Sequence, residues 1–259
     1  MKYLHIDNSC YVSPPARIGL LTRLFPSCTF YPGFMGVVYR AAAKAKSGNY
    51  DYDEWGRDSL EVLRLLEAAG LQFEVTGLAH LEQLEGPCVF VSNHMSIMET
   101  LILPVIILPY AKVTFVVKDS LLTYPVFKHI MISRNPVAVT RTNPRQDLKT
   151  VLREGVDRLT KGISVIVFPQ TTRSTGFDPR QFGSIGAKLA KKADVPIVPV
   201  ALKTDAWQNG RLISKDVSRL HPEIPVRVAF GKPLPVAGKG NEEHKQVADF
   251  IQEKLDQWQ

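Results

Sequence analysis

Cysteine is scarce in this sequence, and its few copies are widely spaced. Only Cys10, Cys28 and Cys88 are present. They form no Cys-x-x-Cys pair and no cluster with histidine, which is the spacing that a structural zinc site needs. A disulfide framework and a bound metal are therefore not expected, and a reducing, cytoplasmic setting is the default.

Long apolar runs are also missing. The longest, from Leu101 to Tyr110, contains two prolines and falls well short of the roughly 18 to 20 residues that a membrane-spanning helix needs. The first fifteen residues lack the basic start and apolar block of a secretory signal. We therefore expect the protein to stay on the cytoplasmic side of the membrane, as a peripheral or monotopic protein.

Negative charge is in deficit, because 32 Lys and Arg face 25 Asp and Glu, giving a net charge of +7. Such an excess attracts anionic surfaces, among them phospholipid headgroups, nucleic acid and phosphorylated substrates. The basic residues are dispersed, and no helix-turn-helix, zinc or aromatic ribonucleoprotein pattern accompanies them, so nucleic acid is not an expected partner. A modest basic excess that only favours solubility is the simpler alternative.

The segment from residue 16 to 48 combines aliphatic and aromatic residues with charges that are all basic. This composition is typical of a segment that lies in a membrane interface. Pro26 and Pro32 predict that it forms short, broken helices. The alternative is a pair of amphipathic helices packed on the core. We accordingly divide the chain into a membrane-interacting helical segment, residues 1–50, and a main domain, residues 51–259.

The rest of the chain alternates between helical and strand-like patterns, which predicts a single α/β domain with a central sheet flanked by helices. A helix from Asp53 to Ala69 stops at Gly70, a residue suited to a helix C-terminus. The predicted strands are Leu71–Thr76, Cys88–Ser92, Val113–Val117, Val137–Thr140, Ser164–Phe168, Ile197–Leu202 and Val226–Phe230. Further helices are predicted after Ser96 and at Gln146–Leu159, Ile185–Lys192 and Glu242–Trp258.

His94 follows the end of a predicted strand and precedes a predicted helix. The helix opens with Ser96-Ile97-Met98-Glu99, which has the form of a capping box. Residues five apart on one helix point about 140° away from each other, so His94 and Glu99 meet only if His94 lies before the helix. A carboxylate bonded to one imidazole nitrogen would prepare the other nitrogen to take a proton from an alcohol. The pair alone is a weak signal, since a structural histidine and a purely capping glutamate give the same pattern.

Four blocks follow one another in a distinctive order across residues 88–202. They are Ser92-Asn93-His94 with Glu99; Lys118 and Ser120 with Tyr124-Pro125-Val126-Phe127 and Val137-Ala138-Val139-Thr140-Arg141; Phe168-Pro169-Gln170-Thr171-Thr172-Arg173-Ser174; and Val195-Pro196-Ile197-Val198-Pro199-Val200. The ordered set resembles the glycerolipid acyltransferase family, which includes bacterial lysophosphatidic acid acyltransferases. The resemblance implies a glycerol-3-phosphate acyltransferase-like fold.

Three positions depart from the family pattern, so this sequence is a divergent His-x4-Glu variant. Glu99 stands where the family has Asp, Gln170 where it has Glu, and Thr171 where it has Gly. Glu99 keeps a carboxylate on a longer arm, whereas Gln170 keeps hydrogen bonding and loses the charge. Thr171 predicts that its turn needs no positive φ.

The resemblance also implies a mechanism and a set of site residues. His94 would act as general base and Glu99 would orient it, with the oxyanion held by backbone N–H groups at the start of the helix after Ser96. The acceptor would be bound by a set of polar residues in the second and third blocks: Arg141, Arg173, Gln170, Thr171, Thr172, Ser174 and the weaker candidate Lys118.

The implied reaction moves a fatty acyl group from acyl-CoA or acyl carrier protein to a lysophospholipid, with lysophosphatidic acid as the leading acceptor and no cofactor besides the acyl donor. The run from Leu101 to Leu108 is expected to be core beside an acyl tunnel. Because three motif positions differ, a non-catalytic or differently specialised lipid-binding protein on the same fold is the alternative. A metallohydrolase is disfavoured, because no cluster of histidine and carboxylate ligands is present.

Overall fold

The computed structural model describes residues 4–15, 18–170, 172–210 and 218–259. Within these ranges eight strands form one sheet in the spatial order β1-β2-β8-β7-β3-β6-β4-β5. The strands are β1 (Tyr11–Val12), β2 (Phe73–Thr76), β3 (Val89–Ser92), β4 (Val113–Lys118), β5 (Val137–Val139), β6 (Ser164–Val167), β7 (Ile197–Lys203) and β8 (Val226–Phe230).

Five neighbouring strands, β7, β3, β6, β4 and β5, run parallel to one another. In register, Val91 of β3 lies between Val167 of β6 and Pro199 of β7. The carboxyl ends of these strands therefore meet at one edge of the sheet, where α/β proteins place their functional loops. The remaining contacts are mixed: β8 is antiparallel to β7 and parallel to β2, and β1 is antiparallel to β2.

Helices cover both faces of the sheet. The helices are α1 (Leu20–Leu24), α2 (Pro26–Lys46), α3 (Tyr52–Ala68), α4 (Ala79–Glu82), α5 (Met98–Ile107), α6 (Phe127–Ser133), α7 (Pro144–Thr160), α8 (Ile185–Ala193) and α9 (Asn241–Gln257). Helices α2, α3, α5 and α6 contact one another on one face, and α7, α8 and α9 do so on the other. Each face buries its own apolar core against the nearly continuous apolar strands, so the predicted α/β fold is confirmed.

The predicted helices and strands from residue 53 onward are present, with ends that differ by about two residues or fewer. The end of α3 shows the local cause. Gly70 has φ +102, and its N–H donates to the Glu67 carbonyl while that of Leu71 donates to the Leu66 carbonyl. These two bonds form a Schellman motif, which suits glycine because it has no Cβ.

The N-terminal segment differs from the sequence prediction in two ways. Pro26 separates α1 from α2 as predicted, but the predicted break at Pro32 is wrong, because α2 continues through Pro32 as one helix of 21 residues. Burial of Phe30, Phe34 and residues further along α2 outweighs the hydrogen bond that proline loses. In addition, residues 11–12 form β1 and extend the sheet. Ala16 and Arg17, part of the predicted segment, lie outside the described residues.

A helix can cross a membrane only if it is both long enough and apolar enough. Across the described ranges, no helix combines the length and the hydropathy of a membrane span.

Candidate active site

The chemistry-bearing blocks of the sequence meet at the carboxyl edge of the parallel strands. His94 follows β3, Gln170 and Arg173 follow the neighbouring β6, Lys118 ends β4, and Arg141 follows β5. The three blocks that carry these residues are separated in sequence. They lie side by side because the strands that precede them are neighbours in the order β3-β6-β4-β5.

His94 and Glu99 meet across the start of α5. His94 lies before the helix, and its Nδ1 is 3.2 Å from Glu99 Oε2. The imidazole ring stacks on Phe168, with ring centroids 4.3 Å apart. The Glu99 side chain is fully buried, whereas that of His94 is 12% exposed. With Nδ1 facing the carboxylate, Nε2 is the ring nitrogen that can take a proton from a substrate.

The second oxygen of Glu99 holds the carboxylate in place. Oε1 accepts hydrogen bonds from the backbone N–H of Met95 at 2.7 Å and of Ser96 at 2.8 Å. It also accepts one from the Thr204 hydroxyl at 2.6 Å, and the Ser96 hydroxyl donates in turn to Thr204 Oγ1. One oxygen therefore caps the helix start while the other faces His94, so capping leaves one oxygen of Glu99 for the histidine.

The N–H groups around the start of α5 are largely occupied. Those of Met95 and Ser96 donate to Glu99, and that of Met98 donates to the Ser96 hydroxyl. These three groups are therefore engaged within the protein, and the prediction that the helix start after Ser96 supplies an oxyanion site stays a prediction. A buried carboxylate attracts the unpaired N–H groups of a helix start, as Glu99 does with those of Met95 and Ser96.

The loop that carries His94 is fastened to the two neighbouring strands. Asn93 exchanges two hydrogen bonds with the backbone of Leu202 in β7, at 2.7 Å and 2.9 Å. On the other side, the Gln170 amide oxygen accepts the backbone N–H of His94, and the backbone N–H of Ser174 donates to the His94 carbonyl at 2.9 Å. These bonds fix the histidine backbone from both sides.

Gln170 and Ser174 were both predicted to bind the acceptor. In the structure the Gln170 amide oxygen and the Ser174 backbone N–H each bond to the His94 backbone. These two contacts therefore concern the position of the histidine, while the Ser174 hydroxyl oxygen accepts the N–H of Gly176 at 3.2 Å. The sequence offered no signal for this role, because a backbone partner leaves no trace in a motif.

Arg141 and Arg173 lie close enough for their charges to interact. Arg173 lines the cleft next to His94. Partial burial, and secondly the neighbouring positive charge of Arg173, lower the pKa of Arg141 from its usual value. Arg141 has a φ of +60, held by a bond from its N–H to Asp147 Oδ2 at 2.8 Å. Two guanidinium groups at one edge of the sheet suit a doubly charged anion such as phosphate.

The other predicted acceptor residues are less closely placed. Thr172 is exposed, and Lys118 is exposed and does not line the cleft, because its side chain alternates with that of Val117, which does. Thr171, together with the prediction about its backbone φ, lies outside the described residues.

An apolar cleft runs from His94 between α2, α3, α6 and β4. Its walls come mainly from aliphatic and aromatic residues of these elements: Phe34, Val37, Val38, Ala41, Trp55, Val62, Ile97, Leu101, Phe115, Val117, Leu121, Tyr124, Phe127, Ile130 and Met131. Within the run from Leu101 to Leu108, Leu101 lines the cleft and most of the others are buried in the core. Such a cleft can take up a long hydrocarbon chain with its end at His94.

Several contributors to this site escaped the sequence prediction. The contribution of α2 was readable in principle, because Phe34, Val37, Val38 and Ala41 recur at helical spacing. Thr204 was not, because its partner lies about 100 residues away in sequence and nothing in its own surroundings indicates it. Phe168 opens the third block, but its ring contact with His94, about 70 residues away in sequence, leaves no local pattern.

Fold and site together define a class: an α/β protein with a histidine–carboxylate pair at the carboxyl edge of its sheet, opening on an apolar cleft. A profile of the family described as Acyltransferase matches residues 72–203, about half of the chain. The chain therefore belongs to the acyltransferase family, and the resemblance found in the sequence is confirmed.

Individual relatives agree with this assignment. The chain is 33% identical over 147 residues to a 1-acyl-sn-glycerol-3-phosphate acyltransferase of Pseudomonas aeruginosa, covering 57% of this chain and 54% of that protein. It is 29% identical over 161 residues to the chloroplastic 1-acyl-sn-glycerol-3-phosphate acyltransferase BAT2 of Brassica napus, covering 62% and 44%. The matched part is about half the length of these curated relatives or less.

A solved structure shares the fold. The 1-acyl-sn-glycerophosphate (LPA) acyltransferase PlsC from Thermotoga maritima superposes with a TM-score of 0.60 at 23% identity, covering 92% of this chain and 95% of that chain. At this identity the likeness shows the fold alone.

Proposed function

We propose that this protein transfers a fatty acyl group from acyl-CoA or acyl carrier protein to the free hydroxyl of a lysophospholipid. The leading acceptor is 1-acyl-glycerol-3-phosphate, which would give phosphatidic acid. The observation that carries the proposal is the His94–Glu99 pair, 3.2 Å apart, at the mouth of an apolar cleft that Arg173 also lines. The names of the relatives support the same reaction.

In the proposed reaction, His94 Nε2 removes the proton of the acceptor hydroxyl, and the oxygen attacks the carbonyl carbon of the thioester. The tetrahedral intermediate then breaks its carbon–sulfur bond, and the thiolate receives the proton from the imidazolium. Glu99 keeps the imidazole oriented and offsets its positive charge. Arg141 and Arg173 would bind the acceptor phosphate, and the cleft would hold the acyl chain of the donor.

Cys88 does not fit the role of a covalent nucleophile. It is fully buried just before β3, and this burial raises the pKa of its thiol to about 12, so the reactive thiolate is suppressed. Direct transfer to the acceptor therefore fits this chain better than an acyl-enzyme route through Cys88.

The proposed partner surface is a membrane. Leu20, Leu21, Leu24 and Phe25, here called the N-terminal apolar patch, are 73%, 74%, 56% and 58% exposed, and α1 has no buried residue. Exposed leucines and a phenylalanine next to basic Arg23 suit insertion at the headgroup level of an anionic bilayer. The proposal places the protein on the cytoplasmic face.

The test is thiol release from palmitoyl-CoA with and without lysophosphatidic acid in detergent or liposomes. Wild type should show release that depends on the acceptor, and His94→Ala should lower it by roughly 100-fold or more. His5→Ala is the control, because the His5 side chain is 87% exposed and does not line the cleft. A folded wild type that releases no thiol with any donor or acceptor would reject catalysis and favour the lipid-binding alternative.

A further inference from the structure

Three exposed cations lie near the candidate active site without a partner. Lys118 ends β4, and Arg145 and Lys149 lie on the first two turns of α7; the three are here called the cationic edge. None of them forms an ion pair or a side-chain hydrogen bond with a described residue. By contrast, Arg153 and Arg158, further along α7, are paired with carboxylates. Unpaired positive charge is therefore concentrated where α7 begins.

The register of the sheet brings these cations together. Lys118 lies opposite Val139 of β5, and Arg141 comes two residues after Val139. The backbone N–H of Arg141 donates to the Asp147 carboxylate at 2.8 Å, so the start of α7 lies against the end of β5. The cationic edge therefore belongs to the carboxyl edge of the parallel strands, which also carries His94.

Positive charge dominates around these strand ends. Residues 118–119, 140–150 and 168–174 contain five cations, Lys118, Arg141, Arg145, Lys149 and Arg173, and two carboxylates, Asp119 and Asp147, which leaves a net charge of +3. Of the two carboxylates, Asp147 is buried and already accepts backbone N–H groups. Such a field favours an anionic partner at this edge.

The N-terminal apolar patch adjoins the other side of the site. Helix α2, which follows the patch, is attached beside β7. The Ser27 hydroxyl accepts the Leu220 N–H at 2.9 Å, and Phe30 packs on Trp207, just after β7, with ring centroids 5.0 Å apart. Four strand spacings, roughly 19 Å, separate β7 from β5. Because His94 follows β3, it lies between the start of α2 and the cationic edge.

The surface of the cationic edge suits a water-soluble protein. Helix α7 is described in full, and none of its large apolar side chains is strongly exposed, so it offers nothing to insert into a bilayer. The three cations do not line the cleft either. Small anionic ligands are usually held by polar groups that converge in a pocket, whereas dispersed, exposed cations steer and orient an acidic protein surface.

We propose that the cationic edge docks an acidic protein that carries the acyl thioester, so that acyl carrier protein is preferred to acyl-CoA as the donor. This inference rests on the proposed acyl transfer and names the donor that was left open there. Two to three strand spacings, about 10 to 14 Å, separate β3 from β4 and β5. The thioester would cross this distance on the flexible arm of the carrier to reach His94.

The test compares palmitoyl-acyl carrier protein with palmitoyl-CoA at a fixed concentration of lysophosphatidic acid in detergent, where vesicle binding plays no part. At low salt, wild type should use the carrier protein with a kcat/KM about 10-fold or more above that for palmitoyl-CoA. The advantage should shrink as ionic strength rises. Wild type that transfers palmitate without a salt-sensitive preference for the carrier would overturn the inference. Absence of transfer from either donor would reject the proposed function instead.

Variants connect the preference to the cationic edge. The double variant Arg145→Glu/Lys149→Glu should lower kcat/KM for the carrier protein by about 10-fold or more at low salt, mainly through KM, because attraction becomes repulsion. Its kcat/KM for palmitoyl-CoA should stay within about 3-fold of wild type.

The control is Lys191→Glu/Lys192→Glu, which changes the net charge by the same four units. These two lysines are exposed on the last turn of α8, which ends just before β7 begins and so lies at the opposite edge of the sheet. The control should keep the preference for the carrier protein. Equal losses in the two double variants, or a folded cationic-edge variant with wild-type kcat/KM for the carrier, would overturn the inference. The comparison of donors with wild type decides the matter where a variant does not fold.

Discussion

Glu99 performs two tasks with its two oxygen atoms. Oε2 faces the His94 ring, while Oε1 gathers two backbone N–H groups and the Thr204 hydroxyl. The glutamate is one methylene longer than the aspartate of the family pattern, and this network holds the longer arm in place. Thr204, fully buried after β7, would therefore be a positioning residue for the base in the proposed mechanism.

Thr204→Val tests this role with a nearly isosteric change. It removes the hydroxyl that donates to Glu99 and leaves the Ser96 hydroxyl without its acceptor. A hydrogen bond to a charged group contributes about 1.5 to 3 kcal/mol, so we expect kcat to fall by roughly 10- to 100-fold with little change in KM. Steady-state kinetics with lysophosphatidic acid measures the effect.

The control for Thr204 is Thr204→Ser, which keeps the hydroxyl and should restore most of the activity. Rescue by serine distinguishes positioning from packing, because serine lacks the methyl group that valine retains. Equal loss in both variants, at unchanged thermal stability, would contradict the role given to the hydroxyl.

Gln170 offers a second test at the same scale. Its amide oxygen accepts the backbone N–H of His94. Because a neutral hydrogen bond contributes about 0.5 to 1.5 kcal/mol, Gln170→Ala should lower kcat by about 3- to 10-fold. The KM for the acceptor should stay nearly constant. Gln170→Glu keeps an acceptor oxygen and should retain kcat. A large rise in acceptor KM for Gln170→Ala, with kcat intact, would instead support the acceptor-binding role predicted from the sequence.

Part of this site could be predicted from the sequence and part could not. His94 and Glu99 were predicted to meet because their spacing requires a break before the helix, and the structure contains that break. Thr204 could not be predicted, because it reaches Glu99 only through the pairing of β3 with β7. Residues that act through tertiary contacts have no local pattern, whereas residues that share a strand end and a helix start do.

Helix α2 shows the same contrast between local sequence patterns and tertiary contacts. Its proline at position 32 predicted a break, yet Phe30, Phe34, Val37, Val38 and Ala41 bury one continuous face on the core. The order of helices and strands elsewhere followed from periodicity and turn residues. At Pro32 local propensity and tertiary packing disagree, and packing decides the outcome.

The two prolines of α2 yield a matched pair of substitutions. Pro32 is exposed in the helix interior, where proline costs about 3 kcal/mol because it lacks an N–H and its ring crowds the preceding turn. Pro32→Ala should therefore raise the free energy of unfolding by about 1 to 3 kcal/mol, as measured by urea denaturation.

Pro26→Ala is the opposite case. Pro26 is buried at the first position of α2, where its fixed φ suits the helix start and no N–H bond is lost. This substitution should leave stability unchanged or lower it. If Pro26→Ala raised the free energy of unfolding and Pro32→Ala lowered it, the account of α2 would be contradicted.

At the scale of the whole molecule, the two faces of the sheet have different surroundings. The face covered by α2, α3, α5 and α6 contains the cleft and adjoins α1 with its N-terminal apolar patch. The face covered by α7, α8 and α9 carries exposed lysines, among them Lys188, Lys191 and Lys192 on α8. If the protein binds anionic bilayers as proposed, its net charge of +7 would attract it in any orientation, and the apolar patch would select one orientation.

Sedimentation with vesicles can distinguish binding through the N-terminal apolar patch from binding through the total charge of the protein. Each leucine buried in the interface contributes about 1.5 to 3 kcal/mol, so the double variant Leu20→Glu/Leu21→Glu should lower the partition coefficient on phosphatidylglycerol-containing vesicles by roughly 100-fold or more. Lys239→Glu lowers the net charge by the same two units from an exposed loop next to α9, and it should reduce binding by well under 10-fold. Equal losses in the two variants would mean that total charge alone holds the protein on the vesicle, and the patch would then have no docking role.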